Sequence, residues 1–260
     1  MLFSDYFNID KQLLDDYGAV NVSLFADTPL FIDPLLIYGN EDSQIRSLYP
    51  RISNYLRFLD KVSISNPTEQ EIKYYFQSKE IKENWLGLCT SGNQGSALGK
   101  DFAHELFESI KTICNSEITN DIHIEKMFLV KRGVGKDRIS DWTTNVLVGF
   151  FADYTEEFAK KHITKEKCKE FEIRKYSFNF EKGVFESKTV YLPFMIKDNK
   201  VQFVLLTPKS ILRRDEQEIS FGNFENDFGV LRKTLPNDEL RFEINKLYDS
   251  ERKRLLARCI

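Results

Sequence analysis

Cysteine is scarce in this 260-residue chain: there are four, Cys89, Cys114, Cys168 and Cys259. None forms a CxxC pair, and none stands at a Cys/His metal-ligand spacing, which argues against a structural zinc site. With no disulfide framework to read, reduced thiols in a cytoplasm are the expectation. Histidine is scarcer still, with His104, His123 and His162 only. Long apolar runs are missing: no window approaches the ~18 residues a membrane-crossing helix needs. The opening residues MLFSDYFNID carry acids early and lack the basic start and apolar run of an export signal. Charge of one sign is missing too. The net charge of −3 excludes the global basic footprint usual in duplex-binding modules, while leaving room for a local patch.

What is present is an aromatic-rich globular composition, 42% hydrophobic and 30% charged, with 22 phenylalanines. A chain of this length buries roughly 70–75% of its unfolded surface and needs no staples. Abundant Phe favours strands and aromatic packing over an Ala/Leu-rich bundle. Residues 18–39 read as short buried strands or ordered loops around Pro29 and Pro34. From 43 to 60, Ile45, Leu48, Ile52, Tyr55, Leu56 and Leu59 recur at helical spacing. Asn66-Pro67 breaks the chain, and Thr68 with Glu71 forms a capping-box pattern that opens a helix to about Glu83. Further helices are expected at 100–114 and 140–162, with Ser140 as N-cap of the second, and a strand at 122–131. Strands at 169–180, 184–193 and 200–207 read as a meander joined by Glu181-Lys182-Gly183 and Asp198-Asn199. The fold class is therefore α+β: a small, mostly antiparallel sheet packed against several helices. The expected organisation is one domain over 1–234, then a C-terminal helix over 235–260 that leads into a missing region.

Chemistry-bearing residues concentrate in GVGKDRISDWTTN, 133–145. Gly133 and Gly135 permit a sharp turn after a strand. Asp137, Asp141 and Asn145 are four apart, so a helix that began by Asp137 would align their oxygens on one face, a geometry suited to hydrated Mg²⁺ or Mn²⁺. The plainer reading is capping, with both aspartates favouring the helix dipole. A second stretch, SGNQGSALGK at 91–100, places Gly95 and neighbouring backbone before a helix, where phosphate can sit. It is no Walker A loop, since only three residues lie between Gly95 and Gly99, where four are needed, and Asp101 stands where Ser or Thr is required. The alternative is an ordinary loop at a helix start.

A third pattern is nuclease-like: a helical acid (Glu105 or Glu108), an Asp near a strand end (Asp137 or Asp141), and the ExK run Glu186-Ser187-Lys188. Two divalent ions held by such carboxylates activate water and stabilise a leaving oxygen. The order fits, but a long helix stands between the Asp and the ExK strand where adjacent strands belong. Lys209, with Arg213 and Arg214, is a candidate phosphate-facing patch or simply a solvated charge cluster. His104 beside Glu105 reads first as a surface histidine, and Cys89 between Leu88 and Thr90 as a small apolar residue.

Six segments taken together carry a resemblance: LFADTPLFIDPLLI (24–37), NWLGLCTSGNQGSALGKDFA (84–103), HIEKMFLVKRGVGKDRISDWTTNVL (123–147), YTEEFA (154–159), LLTPKSIL (205–212) and LPNDELRFEIN (235–245). In this order, across most of the chain, they resemble a widespread bacterial family of uncharacterised cytoplasmic proteins found near mobile elements and phage-defence genes. The resemblance implies a role in antiviral defence and carries no catalytic set with it. Two functions stay open. One is a metal-dependent, nuclease-like effector acting on phosphodiesters of nucleic acid, with Glu105, Asp137, Asp141 and Lys188 in catalysis and Gly95, Gly133, Gly135 and Lys209 toward phosphate. The other is a non-catalytic sensor or assembly domain that binds a phage component or a partner protein of a defence system.

Overall fold

Aspartate and proline set the helix starts. In the computed structural model, which describes residues 1–78, 81–87, 100–114, 136–197 and 199–214, α1 (Phe3–Phe7) is followed by α2 (Lys11–Tyr17), whose N-cap Asp10 accepts from the Gln12 amide. After β1 (Leu30–Ile32), Asp33 accepts from the Leu35 amide and Pro34 opens α3 (Pro34–Tyr38). Asp42 caps α4 (Ser43–Arg46) in the same way. Each side chain satisfies an amide that the first helical turn leaves unpaired. At α6 (Glu69–Phe76) the capping box closes reciprocally: Thr68 Oγ1 accepts from the Glu71 amide and the Glu71 carboxylate accepts from the Thr68 amide.

Three expectations need correction here. The periodicity over 43–60 is carried by two helices, α4 and then α5 (Tyr49–Ile64). Pro50 lacks an N–H, and its ring would collide with the carbonyl four residues back, so the chain must restart. The helix opened by Thr68 stops at Phe76, not near Glu83, where a short 3₁₀ turn, Lys82–Asn84, follows instead. Pro34, read as a breaker of extended chain, is the first residue of a helix.

After α7 (Lys100–Cys114), the axis of the fold is α8 (Lys136–His162), 27 residues and about 40 Å long. It packs on β1, on α5 and on both long strands of the main sheet. It begins four residues before Ser140, so Ser140 is no N-cap: it lies inside the helix, 4% exposed, and its Oγ accepts from the Ile32 amide at 3.0 Å. Two other buried hydroxyls on α8 are also employed. Thr144 Oγ1 donates to the Ser140 carbonyl, and Thr155 Oγ1 donates to the Phe151 carbonyl while accepting from the Leu206 amide at 2.8 Å. A helix buried on several sides can thus supply the hydrogen bonds that neighbouring irregular backbone lacks.

The main sheet is an antiparallel meander, as its turn residues predict: β2 (Cys168–Asn179), β3 (Val184–Lys197) and β4 (Lys200–Phe203), in that order. A separate pair joins β1 to β5 (Leu212–Arg214), with Phe31 opposite Arg213. The chain is α+β. Two apolar cores fill it. The larger gathers Ile52, Leu56, Phe76, Ile110, Trp142 and Phe151 between α5, α6, α7, α8 and the sheet. The smaller packs Phe3, Phe7, Leu14, Trp85 and Phe158. No helix among the described residues is long and apolar enough to cross a membrane. The expected strand at 122–131, the loop at 91–99 with Gly95, the turn of Gly133 and Gly135, and the C-terminal helix of 235–260 lie outside the described residues.

Candidate ligand pocket

The period-two pattern of β2 slips once. Phe171 and Ile173 are two apart, as are Tyr176, Phe178 and Phe180, but three steps separate Ile173 from Tyr176. The register shows the consequence. Ile173 pairs with Lys188 and Ser177 with Glu186, so Arg174, Lys175 and Tyr176 stand opposite Ser187 alone. Such a bulge bends the strand and re-aims side chains. It is accommodated by Gly149 on α8: a Cβ there would lie 2.1 Å from the Tyr176 carbonyl oxygen, so only glycine lets helix and bulge meet.

Beside this contact lies a cavity of about 340 Å³. Aromatic side chains wall it: Tyr55, Tyr75, Trp142, Phe178, Phe180 and Phe185. Among its polar residues are Arg51, Lys175, Asn145, Gln77, Ser78 and Asp153. The walls are braced from behind. Tyr55 donates its hydroxyl to the Tyr75 carbonyl at 2.7 Å, and burial pushes its pKa well up. Tyr75 donates in turn to the Gly183 carbonyl at 3.2 Å, across to the β2–β3 turn, where Gly183 takes a φ of +66°. Lys175 donates to the carbonyl of Gln77, the C-cap of α6, and its ammonium stands 4.5 Å from the Phe185 ring centroid.

At one edge, Asp153, Tyr176 and Lys188 close a three-membered network. Lys188 Nζ donates to Asp153 Oδ1 and to the Tyr176 hydroxyl, each at 2.9 Å, and the Tyr176 hydroxyl donates to Asp153 Oδ2. Desolvation, then the bond to Asp153, raises the Tyr176 pKa, so the phenol stays protonated and is no activated nucleophile. Its bonds to Tyr176 and Asp153 hold Lys188 as the cation. Asp153 is therefore neutralised locally, and Arg51 and Lys175 also line the cavity. Among the described residues the Arg51 guanidinium has no ion pair and no side-chain hydrogen bond.

The residues singled out from sequence are dispersed. Glu105 pairs with Arg138 at 2.5 Å, near the start of α8. Lys188 meets the same helix at Asp153, fifteen residues further along, roughly 22 Å of helical rise away. Glu186 accepts from Asn179 at the hairpin end. Lys209 pairs with Asp15 and its amide donates to the Gly18 carbonyl, so it fastens α2; Arg213 pairs with Asp33 at 2.5 Å. His104 is a half-exposed partner of Glu69, at 3.1 Å. Because α8 starts at Lys136, Asp137, Asp141 and Asn145 do share one helix at a spacing of four, and the Asn145 amide nitrogen donates to the Asp141 carbonyl. Of these, Asn145 also lines the cavity. Among the described residues, no three His, Cys, Asp or Glu side chains gather as a metal site. Arg51, Asp153, Lys175 and Tyr176 went unread in the sequence; the phase slip at Ile173 was the signal that marked the bulge.

A family model described as a domain of unknown function (DUF8370) matches residues 8–220. No curated protein and no solved structure matches the chain.

Proposed function

The chain belongs to the DUF8370 family, and from that premise we propose that it is a sensor, a module that binds a small ligand in the aromatic-walled cavity and passes the event to a partner protein. The observation that carries this reading is the cavity itself: about 340 Å³, within the usual ~300–1,000 Å³ of ligand sites, with convergent polar groups and, on its wall, the Arg51 guanidinium, which makes no ion pair among the described residues. Tyr176, which lines the cavity and is held protonated, supplies a fixed hydrogen-bonding group rather than a nucleophile. The resemblance to proteins near mobile elements and phage-defence genes supports placing the sensor in bacterial antiviral defence. A thermal-shift screen of small anionic and aromatic compounds tests the reading. Ligands should raise the melting temperature of the wild type and not of Ser177→Trp, which fills the cavity. Equal shifts in both proteins, or none in either, would remove the sensor.

A second reading is a metal-dependent phosphodiester hydrolase. It is supported by the common helix of Asp137, Asp141 and Asn145, whose spacing suits Mg²⁺ or Mn²⁺. Calorimetry with either ion should then show binding that Asp141→Ala abolishes. An ion-independent change of about 1 kcal/mol in stability would leave Asp141 a helix-start residue only.

A further inference from the structure

We infer that the partner protein docks across the mouth of the cavity, on the basic outer face of α5 and the aromatic tip of the β2–β3 hairpin, through an acidic segment that carries a large apolar side chain. The inference rests on the sensor reading for the purpose of docking and adds its place and its chemistry. Exposure locates the mouth. Of the described residues that line the cavity, only Arg51 and Phe180 are exposed. A segment lying across those two covers the entrance, so docking and ligand entry must influence one another.

The two sides of the mouth differ in kind. The residues that α5 exposes after Pro50 are Arg51, Asn54, Arg57, Lys61 and Ile64, and none of them is an acid. The first four follow one another at three or four residues, so they make a ridge along one side of the helix, about 15 Å from Arg51 to Lys61. Arg51 and Lys61 make no ion pair among the described residues, and Arg57 donates to the neutral Asn54 side chain at 3.1 Å. The ridge meets the hairpin through Phe58, whose half-buried ring stands 4.7 Å from Phe178 and 6.5 Å from Phe180. Phe180 is 46% exposed, and Tyr74, 5.8 Å from Phe185 on the cavity wall, is 43% exposed. Exposed aromatic rings beside arginine are the combination that carries most of the binding energy at protein interfaces.

The charges select the class of partner. The α5 ridge is complementary to acids. The hairpin end carries two exposed acids, Glu181 and Glu186, against one base, Lys182. A nucleic-acid backbone is evenly charged and would meet those carboxylates as it ran over Phe180. A peptide can place its acids over α5 and an apolar side chain on Phe180, which satisfies both sides at once.

A displayed library of random dodecapeptides, selected on the full chain, tests the inference, with the enriched peptides then titrated by fluorescence anisotropy. Enriched peptides should combine Asp or Glu with Phe, Leu or Trp and bind with a Kd near or below ~100 μM. The double variant Arg57→Glu with Lys61→Glu should weaken them about tenfold or more, as should Phe180→Ser, and added salt should weaken them further. Lys200→Glu, a charge reversal on β4, should leave the affinity within about twofold. All of these side chains are exposed, and an unchanged far-ultraviolet circular dichroism spectrum shows that each variant is folded. No enriched peptide, enriched peptides without acids, or binding indifferent to both sets of variants overturns the inference. A single-stranded decanucleotide that binds through the same residues when no acidic peptide does assigns the face to nucleic acid and overturns it equally. The small-ligand screen fails separately. Ligands that stabilise the wild type and not Ser177→Trp keep the sensor even if no peptide docks, whereas peptide docking without any such ligand keeps the docking face and removes the sensor.

Discussion

The Tyr176 carbonyl oxygen fills the space where a side chain on Gly149 would begin, 2.1 Å from the ideal Cβ position. Alanine at 149 would ordinarily favour a helix by about 1 kcal/mol. Here it must drive α8 away from the β2 bulge, and the blocking atom is backbone, which yields less readily than a flexible side-chain tip. Gly149→Ala is expected to destabilise the protein by about 3 kcal/mol or more. Urea unfolding checks this, and a midpoint equal to the wild type's would refute the tight contact.

Ser140 ties β1 to the middle of the fold. Its Oγ is the acceptor for the buried Ile32 amide, at 3.0 Å. Ser140→Ala leaves that amide without its partner and is expected to cost about 1–3 kcal/mol. Amide hydrogen exchange at Ile32 should accelerate more than at its neighbours. A uniform change, or none, would mean the serine is interchangeable.

The Asp153–Lys188 pair is conspicuous in geometry and modest in energy. Its side chains are 46% and 45% exposed, respectively. Water screens such a pair, and exposed ion pairs contribute ~0–1 kcal/mol. A double-mutant cycle with Asp153→Asn and Lys188→Met should return a coupling energy below about 1 kcal/mol that shrinks further in high salt. A coupling of several kcal/mol would show that the network is far better shielded than its exposure implies.

Alkali should weaken the fold before acid chemistry at the cavity matters. Burial pushes the Cys168 thiol from its ordinary 9.0 up to about 11, partly offset by its hydrogen bond with Tyr191. Tyr17, Tyr55 and Tyr154 are raised in the same direction, again by desolvation first. A folded-state pKa above the unfolded one means that the native state holds the proton more tightly. This stability is fully present below about pH 9 and is lost as pH rises through 11, with the tyrosines steepening the fall beyond their unfolded value near 10. Urea midpoints at pH 7, 9 and 10.5 should be level between the first two and drop at the third. A level series throughout would contradict the burial of these groups.

Much of the fold was readable. Thr68 and Glu71 announced a helix start, because both partners of a capping box lie within one turn. The meander of β2, β3 and β4 was legible in alternation and in Glu181-Lys182-Gly183, and the helix of Lys100–Cys114 in its apolar spacing. The errors came where one residue type has two local meanings. Pro34 and Pro50 can each end a helix or sit in its first turn, and Ser140 can cap a helix or face a strand. Which meaning applies depends on what packs alongside.

By itself, then, the sequence determined the elements whose causes span three or four residues: capped starts, alternating strands, a tight glycine turn, and the absence of the long apolar run that a spanning helix needs. Only the tertiary structure decided the cavity. Arg51, Gln77, Asn145, Asp153 and Lys175 come from α5, the end of α6, α8 and β2, and no spacing along the chain relates them. They meet because a bulge in β2 and a bare glycine on α8 let sheet and helix approach. That approach is set by packing between segments far apart in the chain, which local chemistry does not encode.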